Sequence, residues 1–276
     1  MHIVVCIKQV PDSAQIRIHP VTNTIMRQGV PAIINPYDLF SLEEALRLKD
    51  RFGGRVTVLT MGPPMAEASL RKALSFGATD AVLLTDRKFA GSDTLATSYA
   101  LTSAIRKLHE EEPVDLVFCG KQTIDGDTAQ VGPGIATRLN LQQLTYVAKI
   151  EDVNLESREI TVQRRSEGGV QVLKSRLPAM ITMLEGSNTM RFGTMDDMFR
   201  AARTPLKTWS KDTCVDDENK VGLKGSPTVV SKVFVPKPRA EKAKMIEAEG
   251  GAEAQAAAAI DMLFTTYPKL ANDLVR

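Results

Sequence analysis

Cys119-Gly120-Lys121-Gln122-Thr123-Ile124-Asp125-Gly126-Asp127-Thr128-Ala129-Gln130-Val131-Gly132 joins a short apolar run to an amphipathic one. Val114 to Cys119 is apolar and partly β-branched, the pattern of a buried strand, and Thr128 to Leu139 reads as a helix. A glycine-containing turn between two such elements exposes backbone N–H groups at the positive end of a helix dipole, which suits a phosphate or pyrophosphate. The same residues also make an ordinary strand-to-helix turn, with Asp127 as the cap and the glycines serving only backbone geometry. Two familiar phosphate motifs do not fit. Lys121 opens the loop instead of closing it in a Gly-Lys-Ser/Thr sequence, and Gly132-Pro133-Gly134 lacks its third glycine, Thr137 standing there. Asp125 and Asp127 would repel a pyrophosphate that they faced. One is therefore expected to cap the helix and the other to meet a hydroxyl or a partner group.

Upstream of this loop the chain alternates strand and helix signals. Ile3 to Ile7 is a strand, Ser41-Leu42-Glu43-Glu44 is a capping-box pattern opening a helix through Phe52, and Arg55 to Leu59 is the next strand. Met65 to Phe76 has helical periodicity, Asp80 to Leu84 is a strand, and Ser92 or Asp93 caps a helix reaching about Glu110. This alternation predicts an α/β fold: a doubly wound, mostly parallel sheet with helices on both faces and a site at the carboxyl ends of the strands. The turns Lys8 to Asp12, Met61-Gly62-Pro63 and Gly120 onward then converge on one crevice, joined by Asn35-Pro36-Tyr37-Asp38. Taken singly, each of these proline and glycine turns is ordinary turn chemistry.

Downstream, residues 158–175 read as a β-hairpin divided at Glu167-Gly168-Gly169, and Pro178 to Leu184 as a further strand. Two regions follow: residues 1–186 as an α/β domain with a nucleotide site in prospect, and residues 187–276 as an extended arm closed by a C-terminal helix. The arm holds Pro205, Pro227, Pro236 and Pro238 among many charges. Glu253 to Tyr267 is an alanine-rich helix with Ile260, Leu263, Phe264 and Tyr267 on one face, the pattern of a docked helix.

With 276 residues, 43% hydrophobic content and a formal net charge of +2, the chain can bury a large core and gives no case for nucleic acid. No run approaches the roughly 18 apolar residues of a membrane span, so a cytoplasmic location without a transmembrane segment is expected. Cys6, Cys119 and Cys214 contain no C-x-x-C pair, and His2, His19 and His109 are scattered, which argues against a metal centre or a nucleophilic triad. Redox chemistry here calls for an organic cofactor.

Lys8-Gln9-Val10-Pro11-Asp12, Asn35-Pro36-Tyr37-Asp38 with Glu43 to Lys49, Met61-Gly62-Pro63, and Gly120 to Asp127 closely resemble the β subunit of electron transfer flavoproteins, in order, over roughly residues 1–200. The resemblance implies a heterodimer with an FAD-carrying α subunit, and a nucleotide held by the β subunit itself. That nucleotide is a structural AMP in one branch, whose members dock an acyl-CoA dehydrogenase. In the other it is a second FAD, which takes a hydride from NADH and splits the electron pair between the α-subunit FAD and a low-potential acceptor such as ferredoxin or flavodoxin. An acyl-CoA dehydrogenase or a quinone oxidoreductase is the expected further partner. By similarity the ligand contacts Cys6, Asn35, Pro36, Tyr37, Asp38, Met61, Gly62 and the loop from Gly120 to Val131, with Asp93, Thr94 and Thr97 near a flavin ring. The AMP-type loop reads Asp-Asp-Asp, a bulky residue, then Asn-Gln-Thr-Gly. Here Gly126 and Ala129 are smaller and leave room for a second phosphate, which favours FAD and the bifurcating branch. Thr189 to Ala202 resembles the segment that recognises a partner dehydrogenase, with Met195 as its anchor.

Overall fold

The first strand sets the architecture. In β1 (His2–Cys6), Ile3 and Val5 enter one hydrophobic cluster while Val4 and Cys6 enter another. Side chains of a strand alternate faces, so β1 must be covered on both. The computed structural model describes residues 1–12, 17–18, 25–26, 31–231 and 245–273, and the chain divides into Met1–Val233 and Phe234–Arg276.

After β1 come β2 (Gln9–Pro11), β3 (Arg17–Ile18), β4 (Ile25–Met26) and β5 (Ala32–Ile34), paired antiparallel as β2 with β5 and β3 with β4. Helix α1 (Pro36–Phe52), β6 (Arg55–Met61), α2 (Glu67–Ser75), β7 (Asp80–Leu84), α3 (Thr94–Glu111), β8 (Leu116–Gly120) and α4 (Val131–Leu139) then alternate as expected. They are followed by β9 (Gln142–Asn154), β10 (Glu159–Ser166), β11 (Gly169–Arg176), β12 (Ala179–Met183), α5 (Met195–Arg203), β13 (Lys207–Trp209) and the short α6 (Lys211–Cys214).

Nine strands form one sheet in the order β11-β10-β9-β12-β8-β1-β6-β7-β13, parallel from β9 to β13 and antiparallel at β9-β10-β11. The chain winds outward from β1 through β6 and β7, then returns to β8 on the other side of β1. This reversal is the topological switch point, where the loops leaving neighbouring strands splay apart and open a crevice. Leu42 and Leu46 of α1 and Leu70 and Leu74 of α2 pack on one face of the sheet, Ile105 of α3 and Ile135 of α4 on the other, each fully buried or nearly so. Each such side chain contributes roughly 1.5–3 kcal/mol of burial.

Several element boundaries differ from the sequence reading. Helix α1 starts at Pro36, five residues before the capping-box pattern at Ser41, because proline at the first helical position needs no hydrogen-bond partner for its nitrogen. Helix α2 is shorter than its periodicity, since Pro64–Ala66 forms a 3-10 turn ahead of it. Helix α4 starts at Val131 and not at Thr128. Its glycines serve packing: a Cβ on Gly132 would lie 2.9 Å from Thr182 Cγ2, and one on Gly134 2.8 Å from the Ser98 side chain. Strand β9 is an addition that widens the hairpin into a three-stranded meander.

The stretch read as an extended arm contains a helix and an edge strand of the main sheet. Thr194 Oγ1 accepts from Asp197 N at 3.1 Å and Asp197 Oδ2 accepts from Thr194 N at 3.2 Å, a capping box that starts α5. Arg200 donates to Leu74 O and Ala78 O at 2.9 Å each, at the end of α2. Arg71 of α2 donates in return to Ala201 O at 2.8 Å and Thr204 O at 2.6 Å, at the end of α5. Each helix thus supplies the guanidinium that satisfies the other's last carbonyls. In the second unit, α7 (Gly251–Thr266) is followed by α8 (Pro268–Asp273), with Ile260, Leu263 and Tyr267 exposed. Among the described residues no helix is long and apolar enough to cross a membrane.

Arg71→Ala leaves two carbonyls of α5 without their donor and should cost about 1–3 kcal/mol locally. Amide hydrogen exchange should quicken across residues 195–204 while β1, β6 and β8 keep their protection. Uniform exchange changes across the sheet would show that α5 is not separately secured.

Candidate functional site

The crevice is built around one buried carboxylate. Asp38, in the first turn of α1, accepts from Lys8 N at 2.7 Å and from Gly120 N at 3.2 Å, and so bridges the exits of β1 and β8. Such close approach requires glycine at position 120, where a Cβ would lie 2.3 Å from Asp38 Oδ1. Burial pushes the Asp38 carboxyl up to about 7, against the pull of Asn35 and of the two backbone donors. Asn35, fully buried, donates to Gln122 O at 2.9 Å and accepts from Ile124 N at 3.2 Å, which fixes the start of the long loop. Ser41 Oγ adds a bond to Cys119 O at 2.6 Å.

Neither acidic residue of the loop caps α4, contrary to the sequence expectation. Asp125 pairs with Lys8 Nζ at 2.7 Å; burial would raise its carboxyl, but Lys8 and the Thr123 side chain hold it below its ordinary value. Asp127 instead makes a very short contact with the Gln122 amide. The residue before α4 is Gln130, whose side chain makes no capping bond. Among the described residues, nothing accepts from the backbone N–H groups of Thr128, Ala129, Gln130, Val131 or Gly132. Asp127 and Ala129 both have φ of 55°, and Gln130 following Ala129 is right-handed helical. Successive N–H groups in alternating left- and right-handed conformations form a concave nest for an anion. Strain at Ala129, a residue that ordinarily avoids this region, fits a loop shaped for a ligand. Gly126 has a different role from Gly120: an added Cβ would meet only Thr123 Oγ1, at 3.2 Å. The protein itself does not need glycine there, and the absent side chain leaves the backbone open to approach. These features fit a phosphate-bearing nucleotide.

The other residues expected in the site divide into two groups. Cys6 and Met61-Gly62 lie at the exits of β1 and β6, and Pro36 and Tyr37 at the start of α1. Lys121 Nζ lies 5.3 Å from the Tyr37 ring centroid and 3.4 Å from Glu185. Cys6 and Cys119 are register partners on adjacent strands, both buried, and the Cys119 thiol is driven well up by its bond to Cys6 and by burial. Its thiolate is thus disfavoured. Asp93, Thr94 and Thr97 stand at the start of α3 on the other side of the sheet. Asp93 caps that helix through Leu95 N at 2.9 Å and Ala96 N at 3.0 Å, and Thr94 Oγ1 donates to Gln130 Oε1 at 2.9 Å, tying α3 to the loop. Met195 is outside the crevice, 67% exposed at the first residue of α5, with Phe192, Met198 and Phe199 also exposed. Lys8, Ser41 and Glu185 join the site by their contacts without having stood among the expected ligand residues; Lys8 and Ser41 each stood in a recognised motif, and Glu185 in none.

The Asp38 carboxyl ionises near pH 7 when folded and near 4 in the unfolded chain. The stability gained from keeping it protonated is complete below about pH 4 and is lost as pH rises through about 7. Asp38→Asn removes that titration, and leaves one of the two N–H donors facing an amide, at a cost of about 1–3 kcal/mol. In denaturant unfolding, the stability difference between wild type and Asp38→Asn should narrow from pH 5 to pH 8. A constant difference would place the titration elsewhere.

Comparison with known proteins gives the family. The family model "Electron transfer flavoprotein domain" matches residues 22–213. The chain is 67% identical over 278 residues to "Protein FixA" of Azotobacter vinelandii, covering 100% of this chain and 99% of that protein. It is 61% identical over 277 residues to "Protein FixA" of Rhizobium meliloti, covering 99% and 95%. It is also 48% identical over 232 residues to "Electron transfer flavoprotein subunit beta" of Clostridium acetobutylicum, covering 84% and 87%. With the switch-point crevice at its centre, the chain belongs to the electron transfer flavoprotein β-subunit and FixA family, whose role is electron transfer.

Proposed function

We propose that this chain pairs with an α subunit and holds FAD in the switch-point crevice, there accepting a hydride from NADH and serving flavin-based electron bifurcation. The observation that carries this reading is the uncapped start of α4, where a nest of N–H groups lies next to the open backbone at Gly126. A bound flavin would supply both hydride acceptance and single-electron transfer, onward to the α-subunit FAD and to a low-potential acceptor. The chain's own residues bind and orient. Residues 128–132 offer N–H donors to a diphosphate, Asn35 and Asp38 hold the loop's frame, and Asp93 and Thr94 set the start of α3 beside it. Lys8 and Lys121 are already paired with Asp125 and Glu185, so backbone dipoles carry the recognition.

A second role rests on α5. Met195, Met198 and Phe199 are exposed on α5, and Phe192 (95% exposed) stands in the segment just before it; Arg71, Arg191 and Arg200 secure helix and segment to the body. A small preformed apolar patch suits a transient electron-transfer partner, for which fast release matters more than affinity.

Cofactor release from the αβ complex, read by absorbance and mass, should give two FAD per complex. One FAD with one AMP would instead support a structural nucleotide and a docking role toward an acyl-CoA dehydrogenase. Gly126→Asp, which sets volume and charge against the diphosphate, should empty the β-subunit site alone. Met195→Ala should weaken electron transfer to the partner by roughly 1–3 kcal/mol, with flavin content and NADH reduction unchanged. Equal losses in partner transfer and NADH reduction would make Met195 a packing residue.

A further inference from the structure

Residues 221–228 fold back over the start of α3. Val221 is buried in the cluster beneath α3, and Gly222, at φ 60°, passes so close that a Cβ would lie 2.0 Å from Lys88 O. Gly222 N donates to Ser92 Oγ at 3.0 Å, and Asp93 N donates to Ser226 Oγ at 2.8 Å. Thr228 then donates twice to Asp93 Oδ2, from its N at 3.1 Å and its Oγ1 at 2.8 Å. The other carboxylate oxygen, Oδ1, caps α3 through Leu95 N and Ala96 N. One carboxylate therefore caps a helix and clasps a segment 135 residues away. Next to it, Thr94 reaches Gln130, the residue from which α4 and its open N–H groups begin.

We propose that Thr228 is a positioning residue for the nucleotide crevice, acting through Asp93 to fix the first turn of α3 and, through Thr94 and Gln130, the start of α4. The inference rests on the reading that the crevice holds an adenine nucleotide. The Thr228 hydroxyl and backbone N–H both donate to the charged Oδ2, and a substitution at this position can remove the hydroxyl bond alone. Because coupling between two sites is reciprocal, the clasp favours nucleotide binding and bound nucleotide favours the clasp by the same factor.

The test uses the αβ complex, with Thr228→Val to remove the hydroxyl while keeping the β-branched shape, and Thr228→Ser to keep the hydroxyl. FAD is removed and titrated back, and proteolytic cleavage within residues 226–231 is timed with and without it. Thr228→Val should bind FAD at the β-subunit site roughly ten-fold more weakly. Its cleavage should no longer slow when FAD is added, while Thr228→Ser behaves as wild type and the α-subunit flavin is unaffected. Wild-type affinity in Thr228→Val, FAD-independent cleavage of the wild type, or equal loss in both variants would each overturn the proposal. If the wild-type complex carries AMP, the titration with AMP has the same two sets of outcomes. A complex that binds neither at the β subunit removes the underlying reading, and the proposed coupling with it.

Discussion

The site depends on the bridge that Asp38 makes between two strand exits. Parallel strands stop hydrogen-bonding where they diverge at the switch point, leaving the N–H groups of Lys8 and Gly120 without a ladder partner. Burying those donors unpaired would cost about 1–3 kcal/mol each. A carboxylate from the first turn of α1 satisfies both, and several sequence features follow from that placement. Pro36 starts the helix early enough to bring Asp38 to the crevice, Asn35 ahead of it secures Gln122 and Ile124, and Gly120 clears the space the carboxylate occupies. Burial keeps the carboxyl at about 7 in spite of its donors, so the bridge is held under electrostatic tension at neutral pH.

The features legible in the sequence were those written in local pattern. Strands β1, β6, β7 and β8 are parallel strands buried along all or most of their length, and each reads as a short, mainly apolar run. The loop from Gly120 to Val131 was legible as a turn with exposed N–H groups because strand, glycines and helix are adjacent in the chain. Its inner bonds were not, since aspartates near a helix start most often cap it and nothing local shows that Lys8 and Gln122 claim them instead. Helix α5 was hidden for a different reason. It buries only Ala201, so it has no apolar stripe facing inward, and its stability comes from arginine bonds to α2. Strand β9 was missed because most of its residues are exposed and its alternation is broken at Tyr146, which sits at φ 57°. The Asp93–Thr228 clasp spans 135 residues and leaves no local trace.

On the proposed reading, α5 is a recognition element of a preformed kind. A flexible arm would lose conformational entropy whenever it docked, at about 1–2 kcal/mol for each backbone residue ordered. Here Arg191 on Glu43 and Asp50, and Arg71 and Arg200 across α2 and α5, have already fixed the backbone. The exposed methionines keep rotamer freedom on that fixed frame and can adapt to more than one apolar pocket. Preorganised backbone with adaptable side chains favours rapid exchange of partners over tight holding.

The charges around the crevice point to the same economy. A net charge of +2 spread over 35 basic and 33 acidic residues gives no strong field. The lysines nearest the loop, Lys8 and Lys121, are each neutralised by a carboxylate. On the proposed reading, anion recognition falls to N–H dipoles, which act at short range and only in the right geometry. A basic clamp would draw in any phosphate, including free ones abundant in solution, and would release it as salt rises. A nest of backbone donors discriminates by shape and is little screened, which suits a ligand that is meant to stay. The same physics accounts for the absence of the familiar phosphate signatures from the loop proposed to hold a phosphate: the proposed specificity lies in backbone conformation at Asp127 and Ala129, where residue identity shows only as strain.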